Sequence, residues 1–432
     1  MARSRAESRP DALVVGGGIG GLSAALALTR AGVRVRLLES CAEFGEVGAG
    51  LQIAPNCTRI LDQYGLLEEV LGLGVKPHGM VMRDALEGHE LTRLDLGDLE
   101  RRYGFPYVVI HRSDLHATLL RACRGAGVDL LNDREVVAYE NAEDGARVTL
   151  VDGTTEEAEV VLAADGLHSV ARSLIADDEP VSSAYVAYRA AVPFEHVRNH
   201  DVSETEVVVY VGPRCHFVQY PLRGGEMFNQ VAVFESPSAL TGKEDWGTPD
   251  ELDSAFAATC PQVRRGVPLM WRHRWWRMFD RDPIMHWVHG RVALLGDAAH
   301  APLQYLAQGA VMAIEDGWVL GEHVRRQAAQ RTADGSGVDW DAALRAYEAV
   351  RPEHCRRVVL TARAWGELWH LDGQARAERN AVLLARDTYD YSYVDWLYGP
   401  TALLPDEEPA AFPRAPFDAA AQARSLAPDG GT

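Results

Sequence analysis

Gly16, Gly18 and Gly21 stand in the spacing Gly-x-Gly-x-x-Gly, between an apolar run from Ala12 to Val15 and a helical run from Leu22 to Thr29. The chemistry open to that spacing is the holding of a dinucleotide. The first glycine permits a tight turn, the second lets main chain approach a pyrophosphate, and the third lets helix pack on strand. The helix amino terminus then offers free N–H groups and a positive dipole end to the phosphates. Glu39 closes a second apolar run, Val33 to Leu38, and its carboxylate is placed to accept both hydroxyls of an adenosine ribose. It would repel a ribose 2′-phosphate. Glycine spacing alone is weak evidence, but two further glycine–acid pairs follow apolar runs. Asp165-Gly166 succeeds Val160 to Ala164 and precedes Ser169 and Arg172, and Gly296-Asp297-Ala298-Ala299-His300 succeeds Val292 to Leu295. Each sets a turn and a polar group at the carboxyl end of a buried parallel strand, where open α/β sheets bind dinucleotides.

A second set of residues could act on a substrate. His216 and Tyr220 lie four apart on one strand-like run, so their side chains share a face. An imidazole titrating near working pH could take a proton from a substrate as a general base. Gln304 follows the Gly296-Asp297 turn and can reach the same cavity. The opposing readings are a satisfied structural histidine and a core tyrosine. His300 could donate to a cofactor or oxygen held there or simply brace its loop, and Arg214 is read as a solvated strand-end cation over a partner for a substrate carboxylate.

These groups need a scaffold, and their order prescribes one. The glycine marks span residues 16 to 297, so the nucleotide domain is assembled from separate segments: 11–75, 105–182 and 288–370. Residues 76–104 and 183–287 are expected as an inserted substrate domain built on an antiparallel sheet. Its strand-like runs are Ala187 to Val192, Glu206 to Val211, His216 to Tyr220 and Gln230 to Phe234, with turn signals at Gly212-Pro213 and Arg223-Gly224-Gly225. A pocket between that sheet and the nucleotide suits the preference of ligand sites for domain interfaces. Ala313 to Arg326 and Trp340 to Trp369 read as helices. Residues 371–405 form a C-terminal helical segment, and 406–432, rich in Ala, Pro and Asp, a disordered tail. The fold class is α/β, a Rossmann-like dinucleotide domain with an inserted sheet and C-terminal helices.

Composition bounds the partners. A formal charge of −19 over 432 residues argues against nucleic acid and anionic membranes. No apolar run approaches the roughly 20 residues that span a bilayer, and Met1 to Pro10 reads as a frayed leader. The six cysteines are scattered, which fits a cytoplasmic protein with neither disulfides nor a metal site. The aromatic stretch from Trp365 to Tyr398 suits core or a homodimer interface.

Taken together, the three marks resemble those of the group A flavoprotein monooxygenases, with the para-hydroxybenzoate hydroxylase fold. The resemblance implies non-covalent FAD, with Gly16, Gly18, Gly21 and Glu39 on its adenosine half. It implies Asp165 and Gly166 near the pyrophosphate, Gly296 and Asp297 at the ribityl chain, and Arg112 of His111-Arg112-Ser113-Asp114 as a further flavin contact. Stretches such as Phe44 to Gln52, Gly212 to Phe217, Gln219 to Glu226, Pro302 to Leu306 and Trp365 to Gly373 are similar to the branch that hydroxylates 3-hydroxybenzoate at C6 to gentisate. That branch uses NADH as a transient co-substrate, with dioxygen. In it His216, Tyr220, Gln304 and Tyr107 line the substrate pocket. Ala301 departs from the proline common in the family, which leaves an added N–H beside the flavin, and Gln308 is expected close to the flavin ring. A decarboxylating salicylate-type hydroxylase and a non-catalytic flavin-binding redox sensor stand as alternatives.

Overall fold

The computed structural model describes residues 9–45, 49–330, 337–399 and 403. The expected C-terminal tail, and the leader as far as residue 8, lie outside the described residues.

A six-stranded sheet carries the nucleotide marks. Its order is Val288–His289, Val292–Leu294, Val160–Ala163, Ala12–Val15, Val35–Leu38, Asp129–Leu131. All neighbours are parallel except the antiparallel edge pair formed by Val288–His289 and Val292–Leu294. The strand sequences Ala-Leu-Val-Val and Val-Val-Leu-Ala are buried throughout, as expected of parallel strands covered on both faces. The strands preceding the three glycine marks are therefore adjacent, and their carboxyl ends open side by side. The helix Ile19–Arg30 packs against the helix Gly309–Gln330, which in turn packs against Trp340–Trp369.

A seven-stranded sheet faces this unit, in the order Trp276–Asp280, Val181–Pro193, Met227–Glu235, Cys215–Leu222, Glu206–Gly212, Gly79–Asp84, Glu90–Asp95. Five of its pairings are antiparallel, but Glu206–Gly212 runs parallel to Gly79–Asp84. The four strand-like runs expected between residues 187 and 234 do pair antiparallel, and the parallel pair is added by Gly79–Asp84. Gly79–Asp84 arrives from an earlier segment, so no hairpin dictates its direction.

The strand Cys215–Leu222 shows why this sheet can hold a site. Alternate side chains point to opposite faces. Phe217 packs with Tyr188, Tyr210, Phe234 and Phe256 into a core on the outer face. His216, Val218 and Tyr220 point the other way and line a cavity shared with the nucleotide marks. Five cysteines are buried and Cys41 is exposed, all free. Among the described residues no helix is long and apolar enough to cross a membrane.

Candidate active site

The cradle at the amino end of the chain is built by close approach. Gly16 has φ +106°, and a Cβ there would sit 2.3 Å from the Ala164 carbonyl oxygen; a Cβ on Gly21 would sit 1.9 Å from that of Gly16. Gly18 precedes the helix Ile19–Arg30 with extended backbone, no side-chain cap and no acidic residue in the first turn. The first-turn N–H groups are thus left for an anion. The Glu39 carboxylate accepts from the Gly17 N–H at 2.6 Å and the Cys41 N–H at 2.8 Å. Burial alone would raise its pKa, but these main-chain donors hold it below the usual carboxylate value.

The second mark acts through its backbone and its neighbours. Gly166, with Ala164, lines the cavity. Asp165 turns its carboxylate into its own loop, where Oδ2 accepts from Tyr139 Oη at 3.0 Å and from the Val170 N–H at 3.0 Å. Arg172, 1% exposed, ties this loop to the third mark. It donates to the Ala298 and Ala299 carbonyls at 3.1 and 2.8 Å and to Asp178 at 2.7 and 2.8 Å.

The third mark is held from behind. The Gly296 N–H donates to Asp316 Oδ2 at 2.8 Å, and His300 Nε2 meets the same oxygen at 2.6 Å. Burial would pull the His300 pKa down, yet Cys355 and Asp316 raise it well above its ordinary value. The buried trio His300, Asp316 and Cys355 has metal-ligand chemistry, but a cation already fills the space beside it. Arg351 Nε lies 2.8 Å from Asp316 Oδ1, and its Nη2 lies 3.3 Å from Cys355 Sγ. Of the two readings of His300, these contacts supply the brace.

A cavity of about 1000 Å³ joins Gly18, Gly166, Gly296, Asp297 and Arg112 to the inner face of the seven-stranded sheet. Arg112 opens the helix Arg112–Ala126, and its N–H donates to the Ala49 carbonyl at 3.0 Å. Burial lowers its pKa while Asp297 opposes the shift. Main-chain donors, one guanidinium and a cavity of this size fit a flavin dinucleotide.

The structure brings His216, Tyr220, Gln304 and Tyr107 together on that cavity. Tyr220 is 2% exposed and passes over Gly50, where a Cβ would lie 2.4 Å from its ring. Tyr107 donates from Oη to Gln52 Oε1 at 2.8 Å and meets Tyr398 edge-on. His216 is buried against Tyr305, Trp369 and His370. Burial pulls its pKa down to about 3, which corrects the expectation of an imidazole titrating near working pH. At neutral pH it is an uncharged acceptor.

Its tautomer follows from its neighbours. Arg189 has donors only and lies 3.4 Å from Gln304 Oε1. The amide nitrogen of Gln304 is therefore turned to His216 Nε2, 3.5 Å away. A donor facing Nε2 requires a lone pair there, so Nδ1 carries the proton and donates to His370 Nε2 at 2.9 Å. The basic nitrogen points into the cavity.

Arg189 and His370 are the functional candidates that sequence reasoning passed over. Arg189 carried a signal, a lone cation within Ala187-Tyr188-Arg189-Ala190-Ala191. His370 had none, since it lies 154 positions from its partner. Arg214, by contrast, is exposed and pairs loosely with Glu235 at 3.5 Å. Gln308, 1% exposed, lines the cavity and accepts from Asn56 Nδ2 at 3.0 Å.

Comparison with known proteins agrees with this geometry. A family model described as "FAD binding domain" matches residues 9–359. A 3-hydroxybenzoate 6-hydroxylase from Polaromonas naphthalenivorans (strain CJ2) is 39% identical, over 90% of this chain and 95% of that protein. A 3-amino-4-hydroxybenzoate 2-monooxygenase from Streptomyces cremeus is 36% identical, over 91% and 96%. Among solved structures, Klebsiella pneumoniae HpxO complexed with FAD and uric acid superposes with a TM-score of 0.76 at 27% identity, over 87% of this chain and 92% of that one. The shared fold, the flavin-binding family model and the long, continuous likeness to these enzymes make the chain a member of the FAD-dependent aromatic monooxygenases of the para-hydroxybenzoate hydroxylase fold.

Proposed function

We propose that this enzyme hydroxylates 3-hydroxybenzoate at C6, para to its hydroxyl, giving gentisate at the expense of NADH and dioxygen. The observation that carries the reading is the shared cavity, with the nucleotide marks at one end and His216, Gln304, Tyr220 and Tyr107 at the other. The relatives named for that reaction support the choice of substrate.

Gly16, Gly18, Gly21 and Glu39 would hold the adenosine half of FAD, with Asp165 and Gly166 near the pyrophosphate, and Arg112, Gly296 and Asp297 further along. Bound and reduced, FAD supplies an electrophilic oxygen from dioxygen. The substrate hydroxyl displaces the long Gln304 contact at His216 Nε2, which accepts its hydrogen bond and then its proton. Removing that proton pushes electron density onto the ring carbons ortho and para to the oxygen, and C6 is the para position. The negative charge left on the substrate raises the imidazole's proton affinity at that moment. Tyr220 and Tyr107, with pKa values pushed up by burial, stay protonated; Tyr220 is the donor toward the ring, while Tyr107, donating to Gln52, shapes the wall. His216 and Tyr220 are themselves buried, which limits water at that end of the cavity.

The division into discontinuous nucleotide segments (11–75, 105–182, 288–370) and an inserted substrate domain (76–104, 183–287) belongs to the same reading. So do a homodimer in solution and a cytoplasmic location, the latter supported by free cysteines throughout.

The test is NADH oxidation by the purified yellow protein with 3-hydroxybenzoate, then salicylate, with products separated by chromatography. Gentisate in step with NADH consumed is the expected outcome. Catechol from salicylate would move the enzyme to the decarboxylating branch. Hydrogen peroxide alone would mean that neither acid is the substrate.

A further inference from the structure

One residue row crosses the inner face of the seven-stranded sheet. Arg189, Val231, Val218, Val209, Met82 and Thr92 are successive cross-strand neighbours, and every one of them lines the cavity. Five are uncharged. Arg189 is the single cation in that row.

The cavity contains other arginines, but the structure gives them work elsewhere. Arg93 is paired with Glu90 and Glu206. Arg379 donates to the Trp369 carbonyl at 2.6 Å and to Asn380. Arg386 donates to the Arg93 and Asp390 carbonyls. Arg356 pairs with Glu353, Arg357 lies over the Trp396 ring at 4.0 Å, and Arg112 lies at the nucleotide end. Around Arg189 the described residues supply a 3.4 Å contact to Gln304 and the face of Trp276 at 5.5 Å. None of the described carboxylates lies within ion-pair distance of it. A guanidinium taken from water into an apolar wall is costly unless an opposite charge meets it, and its planar fork matches a carboxylate.

We propose that Arg189 anchors the carboxylate of the aromatic acid and, through Gln304, sets which nitrogen of His216 receives the phenol proton. This rests on the reading of the enzyme as a hydroxybenzoate hydroxylase and adds the residue that selects an acid. Gln304 stands between cation and imidazole, with its oxygen toward one and its nitrogen toward the other. A meta-hydroxy acid, with its polar groups on separate sides of the ring, reaches both. An ortho-hydroxy acid presents its two oxygens from adjacent carbons and satisfies one at a time.

The experiment uses the FAD-loaded enzyme with Arg189→Met and Arg189→Lys. Binding of benzoate and of benzamide is read from perturbation of the flavin absorbance, and turnover of 3-hydroxybenzoate and 3-hydroxybenzamide is measured separately. Arg189→Met should weaken benzoate binding by about 100-fold, leave benzamide binding nearly unchanged, and raise KM for the acid more than it lowers kcat. Arg189→Lys should recover part of the loss. Equal losses for acid and amide would show a structural residue and overturn the proposal, as would unchanged benzoate binding in Arg189→Met. If the wild-type enzyme binds benzoate through Arg189 but does not hydroxylate 3-hydroxybenzoate, the anchor stands and the substrate assignment fails.

Discussion

His216 and His370 are joined Nδ1 to Nε2 at 2.9 Å, with their rings 21° from parallel. Two neutral imidazoles in contact form a relay of defined direction, in which one nitrogen of each donates and the other accepts. His370 is itself stacked on Tyr185 at 4.6 Å, so its ring cannot turn freely. Replacing it with phenylalanine keeps the stack and removes the acceptor. His370→Phe should retain FAD but lower kcat by about tenfold, through loss of the correct His216 tautomer. Stopped-flow measurement of the hydroxylation step checks this, and an unchanged rate would mean that Gln304 alone fixes the ring.

Removing the imidazole altogether should cost more. His216→Ala is expected to bind FAD normally and to hydroxylate about 100-fold more slowly, while NADH oxidation uncouples toward hydrogen peroxide. Product and peroxide are quantified against NADH consumed. Coupled turnover at the wild-type rate would remove His216 from the reaction.

Burial of histidines also shapes the response to acid. The pKa of His216 is depressed to about 3 and that of His354 to about 4, both chiefly by burial. Unfolded, each takes up a proton near pH 6.5. Between those values the unfolded chain binds more protons, so stability falls as pH drops from about 6.5 toward 3. Thermal melts at pH 7, 5.5 and 4.5 should show a declining Tm, and His216→Phe should flatten the decline. An equally steep decline in that variant would place the acid sensitivity elsewhere.

The brace behind the third glycine mark is ionic and wholly buried. Arg351 contacts Glu315 at 2.9 Å and Asp316 at 2.8 Å, and all three side chains are 0% exposed. Arg351→Met would leave the buried Glu315 carboxylate without its cation, while Asp316 keeps His300, at a cost of about 3–5 kcal/mol. Urea unfolding of the holoenzyme measures it.

Gly16→Ala tests the cradle. The left-handed backbone strain alone costs about 1–3 kcal/mol, and the added methyl meets the Ala164 carbonyl at 2.3 Å. The variant should purify without its yellow colour. Full flavin content would show that the loop can shift.

What the sequence revealed and what it concealed divide along physical lines. Gly16, Asp165 and Gly296 follow short, wholly apolar strands, so their setting could be read locally. His216 and Tyr220 shared a face by simple alternation. The neighbours of those residues could not be read this way. Arg189 meets Val231 only through cross-strand register, and His370 reaches His216 from beyond the end of a 30-residue helix. The lowered pKa of His216 was not legible for the same reason, because burial is a property of the assembled site. The parallel pairing of Glu206–Gly212 with Gly79–Asp84 likewise joins distant segments.

The transverse row of cavity residues has an evolutionary consequence. Val231, Val218, Val209 and Met82 line the cavity, while their main chains pair within the sheet. Exchanging one apolar residue for another there would reshape the wall without disturbing the ladder that supports it. Such a wall can drift among aromatic acids by single mutations, while the cofactor end stays fixed by contacts that tolerate almost no change.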